Sequence, residues 1–237
     1  MRLNRTVAAL LLEKLPVTIQ LATMALLIGI ALGVSAGVIA AVNADTPIDV
    51  SAGVVGIVGL SIPNFWLGIL MIMLFSVHWG LLPASGYVPL LADPVENLRA
   101  MAMPALVLST HVAAALMRHT RSAMLEVLNS DYIRTARAKG IGKARIVLKH
   151  GLRNALVPVV TLGALEFGQL LGGSVLTEFV FTVPGIGKLI VDSVFNRDFA
   201  VVQAVVLVSG VVYIALNLLA DAVQLLLDPR IRGGAAR

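Results

Sequence analysis

The stretch 17–42, VTIQLATMALLIGIALGVSAGVIAAV, contains no charged side chain. Crossing about 30 Å of hydrocarbon takes about 20 predominantly apolar residues in one helix. Lipid offers no partner for a free N–H or C=O, so such a stretch must pair its own backbone within a helix. Four further stretches meet the same requirement: 52–78, 102–120, 155–178, and 200–227 with Asp221 near its end. The expected fold is therefore all-α, a polytopic membrane protein with five transmembrane helices.

Composition closes the other routes. AVILMFWYC residues make up 58% of the 237 and charged residues 13%, with a mean hydropathy of +0.93. A disordered chain needs low hydrophobicity and high charge, and a soluble domain of this size could not hide so much apolar surface. With no cysteine, disulfide scaffolds, thiolate catalysis and cysteine-ligated metal are excluded. Residues 1–14 lack a cleavage site followed by a soluble domain, so the sequence does not read as carrying a signal peptide.

The net charge of +5 is not spread evenly. Between 118 and 153 stand nine basic residues, Arg118, Arg121, Arg134, Arg137, Lys139, Lys143, Arg145, Lys149 and Arg153, against Glu126 and Asp131. That segment carries +7, and the rest of the chain sums to −2. A single basic loop between apolar spans is cytoplasmic under the positive-inside rule. No aromatic stacking platform accompanies it, so nucleic acid is not the expected partner. Alternation then puts 79–101 and 179–199 outside, and the 43–51 turn and the tail from Asp228 inside. Arg2, Arg5 and Lys14 conflict with this scheme, since it places them outside.

Catalytic motifs are missing. GIGKAR at 140–145 lacks the Gly and the Ser/Thr of a Gly-x-x-x-x-Gly-Lys-Ser/Thr phosphate loop: those places hold Arg137 and Ala144. PGIGKL at 184–189 fails in the same way, with Thr182 and Leu189. The histidines His78, His111, His119 and His150 form no HExxH pattern, and no metal or other cofactor is expected. His111 and Glu166 fall inside expected spans, where ionisable groups face the bundle interior or a watery path. They are candidate pathway-lining residues, with an interhelical hydrogen bond as the plainer alternative. Gly29, Gly33 and Gly37 form two Gly-x-x-x-Gly steps, and Gly168 and Gly172 a third. These should be helix-packing positions, within one bundle or at a dimer interface. Pro63 and Pro158 should kink their helices.

Within the basic loop, Ser130 can cap a short helix with Asp131 in its first turn. YIRTARAK then leads to Gly140, a helix stop. KARIVLKHGLRNALVP returns the chain to the membrane. A short basic helix at a membrane mouth suits docking on a soluble partner, though it also suits a plain solvated loop.

DYIRTARAKGIGKARIVLKHGLRNALVPVV resembles the EAA loop of permease subunits in bacterial ATP-binding-cassette importers of the dipeptide/oligopeptide group. The EAA-x-x-x-G pattern falls on Arg134, Thr135, Ala136 and Gly140, with Arg134 in place of the glutamate. SIPNFWLGI at 61–69, LLPASGY at 81–87, GGSVLTEFVFTVPGIGKLIVDSVFNRDF at 172–199 and NLLADAVQLLLDPRIR at 217–232 match other blocks. The resemblance covers residues 15 to 232. It implies an inner-membrane, multi-pass permease subunit that is not itself an enzyme. Its partners would be a second permease subunit in a heterodimer, two ATPase subunits, a solute-binding receptor and the lipid bilayer. The coupling helix on the ATPase would use Tyr132, Arg134, Thr135, Ala136, Arg137, Lys139 and Gly140, with Ala136 at the close contact and Gly140 setting the turn.

The implied solute is a di- or oligopeptide, with nickel complexes and glutathione as alternatives on the same machinery. A stand-alone transporter or channel, or an intramembrane hydrolase using His111 and Glu166, is the reading from other classes. The expected organisation is an N-terminal segment 1–16, a permease domain 17–232 and a tail 233–237. The EAA loop would occupy 121–154, and an outside loop or half-buried hairpin 179–199. Family members carry another span and an outside domain before the helix matching 17–42. The expectation is a gene model starting downstream of the true start, or else a natural short form.

Overall fold

The computed structural model describes residues 6–227. Ten α-helices follow in order among the described residues, with no strand: α1 (Val7–Val42), α2 (Pro47–Ser61), α3 (Asn64–Met71), α4 (Pro94–Leu128), α5 (Asp131–Ala138), α6 (Lys143–Arg145), α7 (Arg153–Gly173), α8 (Val175–Val180), α9 (Ile186–Phe195) and α10 (Phe199–Leu227). π-helical turns at Ile72–His78 and Ile146–Leu152 extend α3 and join α6 to α7. Four of the resulting runs are long and apolar enough to cross a membrane, or five if α2 and the α3 run count as one broken span.

Local chemistry sets the boundaries. Asp93 caps α4, its Oδ1 accepting the N–H groups of Val95 at 3.0 Å and Glu96 at 3.1 Å. Pro94 takes the first helical position, where its missing N–H costs nothing. Pro63 produces a break and not the expected kink: it has φ −63° and ψ 131°, outside the helical region, and α3 starts afresh after it. A proline disfavours the α conformation of the residue before it, here Ile62. Pro158 lies inside an unbroken α7. The fourth span also differs from expectation. It runs Lys143–Gly173 and stops at Gly172-Gly173, which leaves Glu178 beyond its end. The 179–199 segment holds the end of α8, a turn and α9. The first helix begins at Val7 and passes through Pro16. Arg2 and Arg5 at the start, and Asp228 onward, lie outside the described residues.

The chain divides into two compact units. One comprises, among the described residues, those up to 28, 62–110 and 167–216. Its core gathers Leu10, Ile186, Leu189, Val201 and Val205. The second comprises, among the described residues, 29–61, 111–166 and those from 217 onward. Here Gly29, Gly33 and Gly37 of α1 lie against α4. A Cβ on Gly33 would stand 2.5 Å from the Ala113 carbonyl oxygen, and one on Gly37 would stand 2.7 Å from that of Met117. Gly29 meets the Val112 side chain. The repeated glycines thus serve packing within one chain, where small residues let backbones approach. Gly172 does not: it is exposed, and a Cβ there would meet nothing among the described residues. Gly168 is buried.

Candidate coupling surface

α5 is an eight-residue helix whose two faces differ sharply. Ile133 is fully buried and Ala136 nearly so, packed with Ile146 and flanked by Leu128 and Ile141. The i, i+3 spacing puts both on one face. Tyr132, Arg134, Thr135, Arg137, Lys139 and Gly140 are exposed. Ala136 therefore faces its own chain: its small side chain lets α5 lie close on the 146–152 turn.

Both ends of α5 follow from sequence. Ser130 occupies the N-cap position, but its hydroxyl donates back to the Val127 carbonyl at 2.6 Å and does not cap. Asp131 supplies negative charge in the first turn, where the helix dipole favours it. At the other end Gly140 has φ +75°. Its N–H donates to the Arg137 carbonyl at 2.9 Å, and that of Ile141 to Ala136 at 3.2 Å. This is a Schellman closure, and Ile141 supplies the apolar contact that accompanies it.

Polar tethers join α5 to its flanking helices. The Tyr132 hydroxyl donates to the His150 carbonyl at 3.2 Å and accepts from Asn154 Nδ2 at 2.7 Å. Arg137 Nη2 donates to the Leu128 carbonyl at the end of α4, at 3.4 Å. The Arg134–Asp131 pair, 3.5 Å apart, is almost wholly solvated and adds little. Nearby, Arg121 of α4 grips Asp49 of α2 through Nε at 2.5 Å and Nη2 at 2.7 Å. The sequence reading missed this pair, although Asp49 lies in the 43–51 stretch, which has no Lys or Arg to partner it.

His111 and Glu166 separate in environment. His111 is exposed and Glu166 is 6% exposed. Glu166 makes no hydrogen bond among the described residues, and both His111 and His119 act on it electrostatically.

A second buried carboxylate, also missed, organises the α8–α9 pair. Glu178 is fully buried. Its Oε1 accepts from the Thr18 hydroxyl at 2.8 Å and the Ser174 hydroxyl at 3.0 Å, and its Oε2 from the Lys188 N–H at 3.1 Å. Thr18 Oγ1 accepts in turn from the Ile186 N–H at 2.9 Å. Gly185 and Gly187 leave the room: a Cβ on either would strike the carboxylate. Burial pushes the Glu178 carboxyl above its ordinary range, against these hydrogen bonds, which pull it down.

One family model matches most of the chain. Residues 33–233 match the family described as "Binding-protein-dependent transport system inner membrane component". The chain belongs to this family. It is a multi-pass inner-membrane transport component. A peptide transport system permease protein of Brucella abortus is 43% identical over 230 residues, covering 97% of this chain and 73% of the relative. The oligopeptide transport system permease protein AppB of Bacillus subtilis is 42% identical over 232 residues, with the same coverage. The dipeptide transport system permease protein DppB of Escherichia coli K12 is 41% identical, covering 91% and 70%. Among solved structures, an inward-facing MetNI methionine ABC transporter chain is similar with a TM-score of 0.75 at 19% identity, over 93% of this chain and 97% of that one. An amino acid ABC transporter chain is similar at 0.67 and 17%, over 92% and 94%. At those identities the likeness concerns the fold.

Proposed function

We propose that this subunit forms half of the translocation pathway of an ATP-driven importer of di- and oligopeptides. A second, non-identical permease subunit forms the other half. ATP is hydrolysed on two separate ATPase subunits, and a solute-binding receptor delivers the peptide. The observation that carries this reading is α5: an exposed basic face, backed by a buried Ile133–Ala136–Ile146 contact and tied by side chains to the spans on either side. A helix held that way passes displacement to α4 and α7 and does not absorb it. ATP binding then biases a two-state bundle through the contacts the ATPases make with α5 in each state. Tyr132, Arg134, Thr135, Arg137 and Lys139 form the docking face, Gly140 fixes its end, and Ala136 seats it. His111 and Glu166 are proposed to border the pathway. The peptide assignment follows the named substrates of the relatives.

The test is Arg134→Glu in the full complex. The expected result is normal membrane insertion with loss of ATPase co-purification and of peptide uptake. Unchanged association and uptake would refute the docking role of α5.

A further inference from the structure

We propose that the cleft beside α5 binds a phosphate-bearing anion, and that its occupant is the headgroup of an anionic phospholipid from the cytoplasmic leaflet. The cleft has a volume of about 650 Å³ and is bounded by residues of 41–45, 121–129 and 137–147. Its walls combine two chemistries. Val42, Leu125, Leu128 and Ile146 give it apolar sides, and Arg137 and Lys143 reach it from the coupling segment.

The balance of charge favours an anion. Arg121 also borders the cleft but is committed to Asp49. The Lys143 ammonium makes no hydrogen bond or ion pair among the described residues. Arg137 uses only Nη2, in a 3.4 Å bond to a carbonyl, leaving most of its donor fork open. Asp45, from the 43–51 stretch, is the acidic residue in the lining, while Arg121, Arg137 and Lys143 come from the 118–153 segment, which carries +7. An open guanidinium and an open ammonium suit a phosphodiester. The apolar walls suit the glycerol and first acyl carbons of a lipid, which a free phosphate would leave uncovered. The cleft lies at the basic end of apolar spans, where pockets of this kind meet anionic headgroups. None of this depends on which solute is carried.

The test uses the assembled importer with its ATPase subunits, in nanodiscs of phosphatidylcholine titrated with phosphatidylglycerol. Retained phosphatidylglycerol is counted by native mass spectrometry. Lys143→Glu and Lys143→Gln should each lower retention by about fivefold or more. Lys143 opens α6, where a glutamate suits the helix dipole, so misfolding would not explain the loss. Lys149→Glu makes the same charge change at an exposed position outside the cleft lining and should retain lipid. Unchanged retention in the Lys143 variants, or equal loss in Lys149→Glu, overturns the proposal. A second arm measures acylation of the Lys143 amine. Protection by phosphatidylglycerol but not by millimolar inorganic phosphate supports the lipid assignment. Equal protection by phosphate in pure phosphatidylcholine discs overturns it in favour of the free anion.

Discussion

Asn154 of α7 donates to the Tyr132 hydroxyl of α5 at 2.7 Å, and the same hydroxyl donates to the carbonyl of His150, one turn before Asn154. α5 is thereby fixed to the segment leading into a membrane span, independently of its apolar underside. Tyr132→Phe keeps the ring and removes both bonds. A hydrogen bond of this kind contributes about 1 kcal/mol net, so folding should survive. Transmission should suffer: the variant is expected to hydrolyse ATP at near wild-type rates while peptide uptake per ATP falls severalfold. Parallel uptake and hydrolysis assays in proteoliposomes check this. An unchanged ratio would leave the tether without a mechanical role.

Gly140 has φ +75° and closes α5 through two main-chain bonds. A side chain in this left-handed conformation costs about 1–2 kcal/mol, least for asparagine. Nothing stands within 4 Å of the position a Cβ would take, so the cost is conformational and not steric. Gly140→Asn should therefore retain much of the ATPase association that Gly140→Val loses. Co-purification of the ATPase subunits with each variant measures the difference, and equal behaviour of Asn and Val would contradict the backbone account.

The bounds of α5 were readable in the sequence because Asp131 and Gly140 are local signals whose effect needs no distant partner. So were the long spans, since each carries its own apolar run. The orientation of Ala136 was not: the family pattern marks the position but not its face, and the burying partner Ile146 lies beyond a turn. The break at 62–63 was half legible, because a proline announces a disturbance but not whether the helix bends or stops. Glu178 was hidden twice over. It was counted inside the fourth apolar stretch, and Thr18 lies 160 residues away. The Asp49–Arg121 pair spans 72 residues, again with no local trace.

The glycines provide an internal contrast. A methyl on Gly33 would stand 2.5 Å from the Ala113 carbonyl oxygen and 2.9 Å from Leu116 Cβ. Neither can yield without moving helix backbone. Gly33→Ala should therefore cost about 1–3 kcal/mol, the range for overpacking a close contact. Gly172→Ala meets open space in this chain and should be neutral or slightly stabilising in the isolated subunit, since alanine is the better helix former by about 1 kcal/mol. Thermal unfolding of the two variants in detergent compares them directly. Equal destabilisation would show that glycine spacing and not contact decides.

Glu178 collects the hydroxyls of Thr18 and Ser174 and the N–H of Lys188 inside the protein. Removing the acceptor strands these donors away from water, at about 1–3 kcal/mol for each left unsatisfied. Glu178→Ala should therefore release the α8–α9 segment, seen as new proteolytic cleavage within 174–198. Glu178→Gln keeps one acceptor oxygen for the two hydroxyls but turns an amide donor towards the Lys188 N–H, so its loss should be intermediate. Thr18→Val tests the network from the opposite end: it removes the hydroxyl that bridges Glu178 to the Ile186 N–H while keeping the shape of the side chain. If the clamp is cooperative, Thr18→Val combined with Glu178→Ala should destabilise by less than the sum of the two single changes. A double-mutant cycle on thermal unfolding measures that coupling. Strict additivity would mean that the two residues, though 2.8 Å apart, hold the segment independently.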